Sequence, residues 1–274
     1  TLPDIYSSEK YKFRWIENVG NLFIKKATVT IGGVIIDNIT GEWLNIWNEL
    51  TISSGIKKSY NKMIGNTMEL TTFSRTKSST LLYVPLNFWF CHDTGLALPL
   101  IALQYHEVRL NVTFDTWENC TFALAIAGGG VRLPAKSLAA CSLYVDYVYL
   151  DTDERRRFAQ QSHEYLIEQV QYTGAESITS SSNKIQLNFN HPVKELLWVV
   201  QRDSFVDCSN PTWLAVAGGQ QPFNYSDDFF FLLLLVLCRC AWWCVPLATV
   251  AVWYDCGRTK SCKSRNFNKY LYCL

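Results

Sequence analysis

Apolar and polar residues alternate along several short stretches of this chain, and a period of two marks strands with one buried face. Val108, Leu110, Val112 and Phe114 alternate with Arg109, Asn111, Thr113 and Asp115. Ile185, Leu187 and Phe189 alternate with Gln186, Asn188 and Asn190, and Ala27, Val29 and Ile31 face away from Thr28 and Thr30. Leu143, Val145, Tyr147 and Tyr149 form a further set, 165–172 reads as another strand, and KELLWVVQ at 194–201 is apolar enough for a buried one. Turn residues separate these stretches: Gly32-Gly33, Gly128-Gly129-Gly130, Ser180-Ser181-Ser182-Asn183 and Gly218-Gly219. Eight or more short strands with few helices predict an all-β chain built as an antiparallel sandwich.

Two short helices interrupt the strands. Trp43, Ile46, Trp47 and Leu50 lie at i, i+3, i+4 and i+7, which predicts one apolar helical stripe serving as core. DERRRFAQQ, starting at Asp153, carries its acids at the N-terminal end, where the helix dipole favours them. It lies between the strands at 143–151 and 165–172 and reads as a connector between two sandwiches. The chain has no simple repeat.

Composition adds two points. An apolar share of 49% with 14% aromatics supplies a core and excludes disorder as the default state. A net charge of +1 gives no general pull toward nucleic acid. The charge is unevenly spread, however. Residues 229–274 hold six Lys/Arg and one Asp, leaving 19 basic and 23 acidic residues, net −4, in 1–228. The same tail holds Cys238, Cys240, Cys244, Cys256, Cys262 and Cys273, six of the ten cysteines. The body has Cys91, Cys120, Cys141 and Cys208 with no C-x-x-C pair, which reads as incidental thiols in a reducing compartment. Sequons at Asn38, Asn111, Asn119 and Asn224 then read as chance matches. The chain opens Thr1-Leu2-Pro3 without an initiator Met, as a processed or incomplete start would.

Motifs that would carry chemistry fail in their details. His106-Glu107 and His163-Glu164 begin like a zinc-protease helix, but neither has a second His four residues after the first. His106 also falls on the alternating strand pattern. Asp151-Thr152-Asp153 opens like a calcium loop, yet Arg155 and Arg156 stand where a ligand and the turn glycine belong. The run Gly128-Gly129-Gly130 leads to Val131-Arg132 rather than Lys-Ser/Thr, so it is no phosphate loop. No G-x-S-x-G elbow exists. Arg155, Arg156 and Arg157 are offset by Asp151, Asp153 and Glu154, which predicts a solvated helix face. No catalytic, cofactor-binding or metal residue is assigned, and the body reads as a non-enzymatic interaction or structural protein.

Longer stretches are more specific. IGGVIID (31–37), GEWLNIWNELT (41–51), YNKMIGN (60–66), LYVPLNFWFCHDTGLALPLIALQYHEVRL (82–110), LYVDYVYLDTDERRRFAQQSHEYLIEQVQ (143–171) and FNHPVKELLWVV (189–200) strongly resemble the major capsid protein of nucleocytoplasmic large DNA viruses, of iridovirus, phycodnavirus and giant-virus type. The resemblance implies a double jelly roll, two tandem eight-stranded sandwiches. It implies homotrimeric, pseudo-hexagonal capsomers tiling an icosahedral shell over an internal membrane. The partners would be further copies and minor capsid proteins, with no direct nucleic-acid contact, in a virion assembled in the host cytoplasm. Residues 1–152 would supply later strands of the first roll, 153–161 the connecting helix, and 162–228 the opening strands of the second. Family members run well beyond 400 residues, so the rolls are expected to be incomplete at both ends.

The resemblance stops at Phe229. Residues 229–254 include Arg239 as their one charge and are long enough to span a membrane, with Arg258, Lys260, Lys263 and Arg265 as a positive flank. A shifted reading frame and a divergent buried strand are the other readings of this tail. A zinc site of Cys238, Cys240, Cys244 and Cys256 is disfavoured, because three of them lie inside the apolar run. Two further classes stay open for the whole chain: a sandwich-type carbohydrate-binding module, and an envelope or inner-membrane protein anchored by 229–254.

Overall fold

The computed structural model describes residues 1–6, 11–125, 130–131, 136–180, 182–206, 221–225 and 267–273, with the backbone only at 130–131, 204 and 267–273. In chain order the strands are β1 (Ile5–Tyr6), β2 (Tyr11–Trp15), β3 (Ile24–Ile31), β4 (Val34–Ile39), β5 (Thr76–Lys77), β6 (Val108–Phe114), β7 (Thr121–Ala125), β8 (Gly130–Val131), β9 (Gln171–Ile178), β10 (Leu196–Arg202) and β11 (Phe267–Cys273). The helices are α1 (Val19–Phe23), α2 (Gly41–Thr51), α3 (Ser54–Ile64), α4 (Met68–Thr71), α5 (Trp117–Cys120) and α6 (Thr152–Gln160).

Among the described residues all strand pairs are antiparallel, in four small sheets: β1-β5, β2-β7-β8, β4-β3-β6 and β9-β11-β10. The β3–β4 hairpin closes through Gly32 and Gly33 at φ of 59° and 84°. Two consecutive positive φ angles suit a right-twisted two-residue turn, and glycine takes them without Cβ strain.

Helix α2 starts where Thr40 accepts a hydrogen bond from the Trp43 amide at 3.2 Å, which satisfies one of the free donors of the first turn. Gly41 is dictated by packing: a Cβ there would sit 2.3 Å from the Asn21 carbonyl oxygen. Trp43, Leu44 and Ile46 are buried and Trp43 stacks on Trp47, so the anticipated stripe is core over its first two turns. Leu50, in the last turn, departs from it and is 62% exposed.

Two apolar clusters result. One gathers Phe13, Trp15, Ile16, Val19, Leu22 and Trp117 around β2 and α1. The other packs Ala27, Val29, Ile39, Trp43, Leu44, Phe88 and Val170 between the β4-β3-β6 sheet and α2, with Leu197 and Val199 of β10 against it.

Several expectations are corrected. Residues 143–149 and 185–189 alternate correctly but lie outside every described strand, since a strand exists only where a neighbouring backbone pairs with it. The strand expected at 165–172 starts at Gln171 and runs to Ile178, where β11 provides the ladder; Ile167 and Val170 instead press on the second cluster. β10 matches 194–201 within two residues but is not buried throughout. Its Leu197 and Val199 face the core, whereas Leu196, Trp198 and Val200 are exposed. Helix α3 was not anticipated because its sequence is mostly polar; it buries Tyr60 and Ile64, one turn apart, and stops at Gly65 with φ 85°.

The apolar run 229–254, with Cys238, Cys240, Cys244 and Cys256, lies outside the described residues, as do Cys208 and the Gly218-Gly219 turn. Only the tail's end is seen, as β11, hydrogen-bonded along both edges. Among the described residues no helix is long and apolar enough to cross a membrane.

Candidate assembly surface

The residues weighed as chemistry take up structural positions. His106 lies in a bend before β6 rather than on the strand, exposed beside the Gly32 turn. His163 stacks on Phe158 and is hydrogen-bonded through Nε2 to the Phe158 carbonyl at 2.7 Å. Asp151 is the N-cap of α6, accepting from the Glu154 amide at 2.9 Å. On the same helix Arg156 stands 3.9 Å from Asp153, both largely in solvent, where such a pair contributes little. Cys91 and Cys141 are exposed free thiols and Cys120 is buried, its thiol pKa pushed up by burial. No group of three or more His, Cys, Asp or Glu able to hold a metal ion occurs among the described residues. Of the sequons, Asn111 and Asn119 are exposed while Asn38 and Asn224 are half-buried.

Two polar arrangements that pattern reading passed over fix the frame of this surface. Asp37 on β4 is buried, and its Oδ1 accepts from the Asn38 amide at 2.8 Å and the Val170 amide at 3.2 Å. The neighbouring Gln169 side chain donates to the Ile36 carbonyl. Together they tie β4 to the segment leading into β9. Burial outweighs these hydrogen bonds and raises the Asp37 pKa to about 6. An acid inside the apolar run IIDNI was the available signal.

The second arrangement centres on Tyr60, whose hydroxyl accepts from the Asn21 side chain at 3.3 Å and from Asn48 Nδ2. Asn87 donates to Asn48 Oδ1 at 3.1 Å, and Asn18 to Asn45 Oδ1 at 2.8 Å. This network joins α1, α2 and α3, and burial raises the Tyr60 pKa. Isolated asparagines carry no periodic signature, so nothing in the sequence marked it.

What the frame presents to solvent is apolar. Leu143, Tyr144, Val145, Tyr147, Val148 and Tyr149 are exposed in one run, and Leu196, Trp198 and Val200 on one face of β10. Exposed apolar residues gathered in this way are the kind of surface that contact with other molecules uses.

Comparison with known proteins identifies the family. The family described as "Major capsid protein N-terminus" matches residues 1–151, and "Large eukaryotic DNA virus major capsid protein" matches 154–231. The major capsid protein of Phaeocystis pouchetii virus is 49% identical over 263 residues, covering 84% of this chain and 51% of that protein. That of Chrysochromulina ericina virus is 47% identical over 251 residues, covering 78% and 43%. The solved Faustovirus major capsid protein superposes with a TM-score of 0.53 at 14% identity over 77% of this chain and 51% of that one, a likeness of fold. The class is thus a viral structural protein. This chain belongs to the major capsid proteins of large eukaryotic DNA viruses, and it spans about half the length of the curated relatives it matches.

Proposed function

We propose that the chain is part of a major capsid subunit whose work is contact between subunits, without catalytic, cofactor or metal residues. The observation that carries this reading is the 49% identity to a major capsid protein across 84% of the chain. The exposed aromatic and aliphatic surface at 143–149 and on β10 supports it, since shells are held by broad complementary contacts. In this reading the small sheets belong to a double jelly roll. Residues 1–152 contribute to the first roll, 153–161 connect, and 162–228 open the second, whose sheet β11 at the end of the 229–274 tail joins between β9 and β10. The subunit forms homotrimeric capsomers of an icosahedral shell, touches neighbouring capsomers, minor capsid proteins and an internal membrane, and is assembled in the host cytoplasm into the virion.

The test is oligomeric state. A chimera joining this chain to the rest of the Phaeocystis pouchetii virus protein is expected to sediment as a trimer at micromolar concentration. A stable monomer there overturns the reading.

A further inference from the structure

Asp37 is the one acid in β4 and is only 4% exposed. The β3–β4 register places it opposite Val29 and then skips Ile36, a bulge that leaves Ile36 without a partner on β3. The stretch 167–170, which has no regular structure of its own, docks on this bulge. Gln169 donates to the Ile36 carbonyl, and the Val170 amide donates to Asp37 Oδ1 at 3.2 Å. Ile167 and Val170 add apolar contact with the second cluster. Of the two hydrogen bonds, only the one to Asp37 ends on a group that titrates.

The charged groups on the surrounding elements are exposed or engaged elsewhere. Lys25 and Lys26 of β3 are exposed. In α2, Glu42 interacts with Thr40, Asp115 and Lys25, and Glu49 pairs with Lys57. Arg109 of β6 pairs with Glu107, and Arg202 at the end of β10 lies over the Phe205 ring. Beside the docked stretch, Glu168 pairs with Lys194, Glu164 and Glu195 are exposed, and His163 is bonded to the Phe158 carbonyl. His92 stacks on Trp47, Asp93 accepts from the Gly95 amide, and Tyr165 and Tyr225 are half-buried. What acts on Asp37 is burial, opposed by the Val170 and Asn38 amides, with no charge among the causes. An ionised Asp37 therefore sits among apolar side chains with two amides and no cation to offset it.

We propose that Asp37 is a proton-operated latch: protonated, it holds 167–170 on the bulge of β4, and ionised, it lets that stretch open locally while the sheets stay folded. The docked form keeps its proton up to about pH 6, whereas the open form releases it near the ordinary 3.8. Docking is thus strongest below 3.8 and weakens as pH rises through 6. In the capsid reading Asp37 lies in the first roll and Val170 in the second, so the latch sits between them. Its test depends on neither assignment.

Hydrogen–deuterium exchange at 165–170, corrected for the intrinsic pH dependence of exchange, measures the opening directly. Protection in wild type is expected to fall about tenfold between pH 5 and pH 7, and to stay level in Asp37→Asn, which keeps the Oδ1 acceptor. The same exchange is followed at pH 7 in low urea. A rate that ignores urea marks local release, while the full urea slope of global unfolding overturns the latch. Level protection in wild type overturns it too, as does an equal fall in Asp37→Asn. If Asp37→Asn does not fold, the Asp37 carboxyl ¹³C shift is titrated in wild type. A midpoint matching that of the exchange supports the latch, and a different midpoint overturns it.

Discussion

The Asp37 carboxylate accepts a hydrogen bond from the Val170 amide at 3.2 Å, joining β4 to the start of β9 across 133 positions of sequence. A buried acid at this junction makes its strength depend on pH. The folded state holds the Asp37 proton up to about pH 6, whereas the unfolded chain releases it near 3.8. Stability from this group is therefore fully present below 3.8 and is lost as pH rises through about 6. Asp37→Asn keeps the Oδ1 acceptor and removes the charge. Urea unfolding from pH 4 to pH 7 should show wild type losing about 2 kcal/mol relative to this variant. A constant difference across that range would refute the assignment.

Tyr60→Phe removes the acceptor for Asn21 and Asn48 while keeping the ring. Two buried amides then lose a partner, and a loss of about 1–3 kcal/mol in unfolding free energy is expected. In a double-mutant cycle, Asn48→Ala in the Tyr60→Phe background should cost markedly less than in wild type. Full additivity would mean that the network does not act as a unit.

Trp43 and Leu50 belong to one helical stripe but to different environments, 2% and 62% exposed. Trp43→Ala should destabilise by about 3–5 kcal/mol through the cavity it leaves, and Leu50→Ala should stay within about 0.5 kcal/mol. Denaturant midpoints of the two variants decide this. Equal losses would place the edge of the core elsewhere.

Gly41→Ala forces a Cβ to 2.3 Å from the Asn21 carbonyl oxygen, so backbone must move, at a cost of about 1–3 kcal/mol or more. Gly33→Ala meets nothing within 4 Å and suffers only from its φ of 84°, for about 1 kcal/mol. Thermal unfolding should rank Gly41→Ala below Gly33→Ala. The reverse order would show that turn strain, not close packing, dominates in this hairpin and helix.

Trp198, 61% exposed on the outer face of β10, contributes little to folding but suits an aromatic anchor between subunits. Trp198→Lys in the chimera is expected to leave the unfolding midpoint unchanged and to weaken trimer formation by about tenfold or more by sedimentation. An unaffected trimer would remove β10 from the interface.

Local pattern decided a good deal about this protein. The strands at 24–31 and 108–114, the hairpin at Gly32-Gly33, the helix over Trp43 and Ile46 and the acid-capped helix at 152–160 were all legible, because alternation, helical spacing and capping act within a few residues. The runs at 82–110 and 143–171 were specific enough to indicate the family. Tertiary structure decided what those patterns then met. The stretches at 143–149 and 194–201 look equally strand-like, yet among the described residues only the second has a paired neighbour, since pairing needs backbone brought in from far along the chain. Asp37 and Val170, or Tyr60 and Asn21, meet only once the chain has folded back on itself. A buried hydrogen bond between distant residues leaves no period in the sequence, so its partners can be read only in three dimensions.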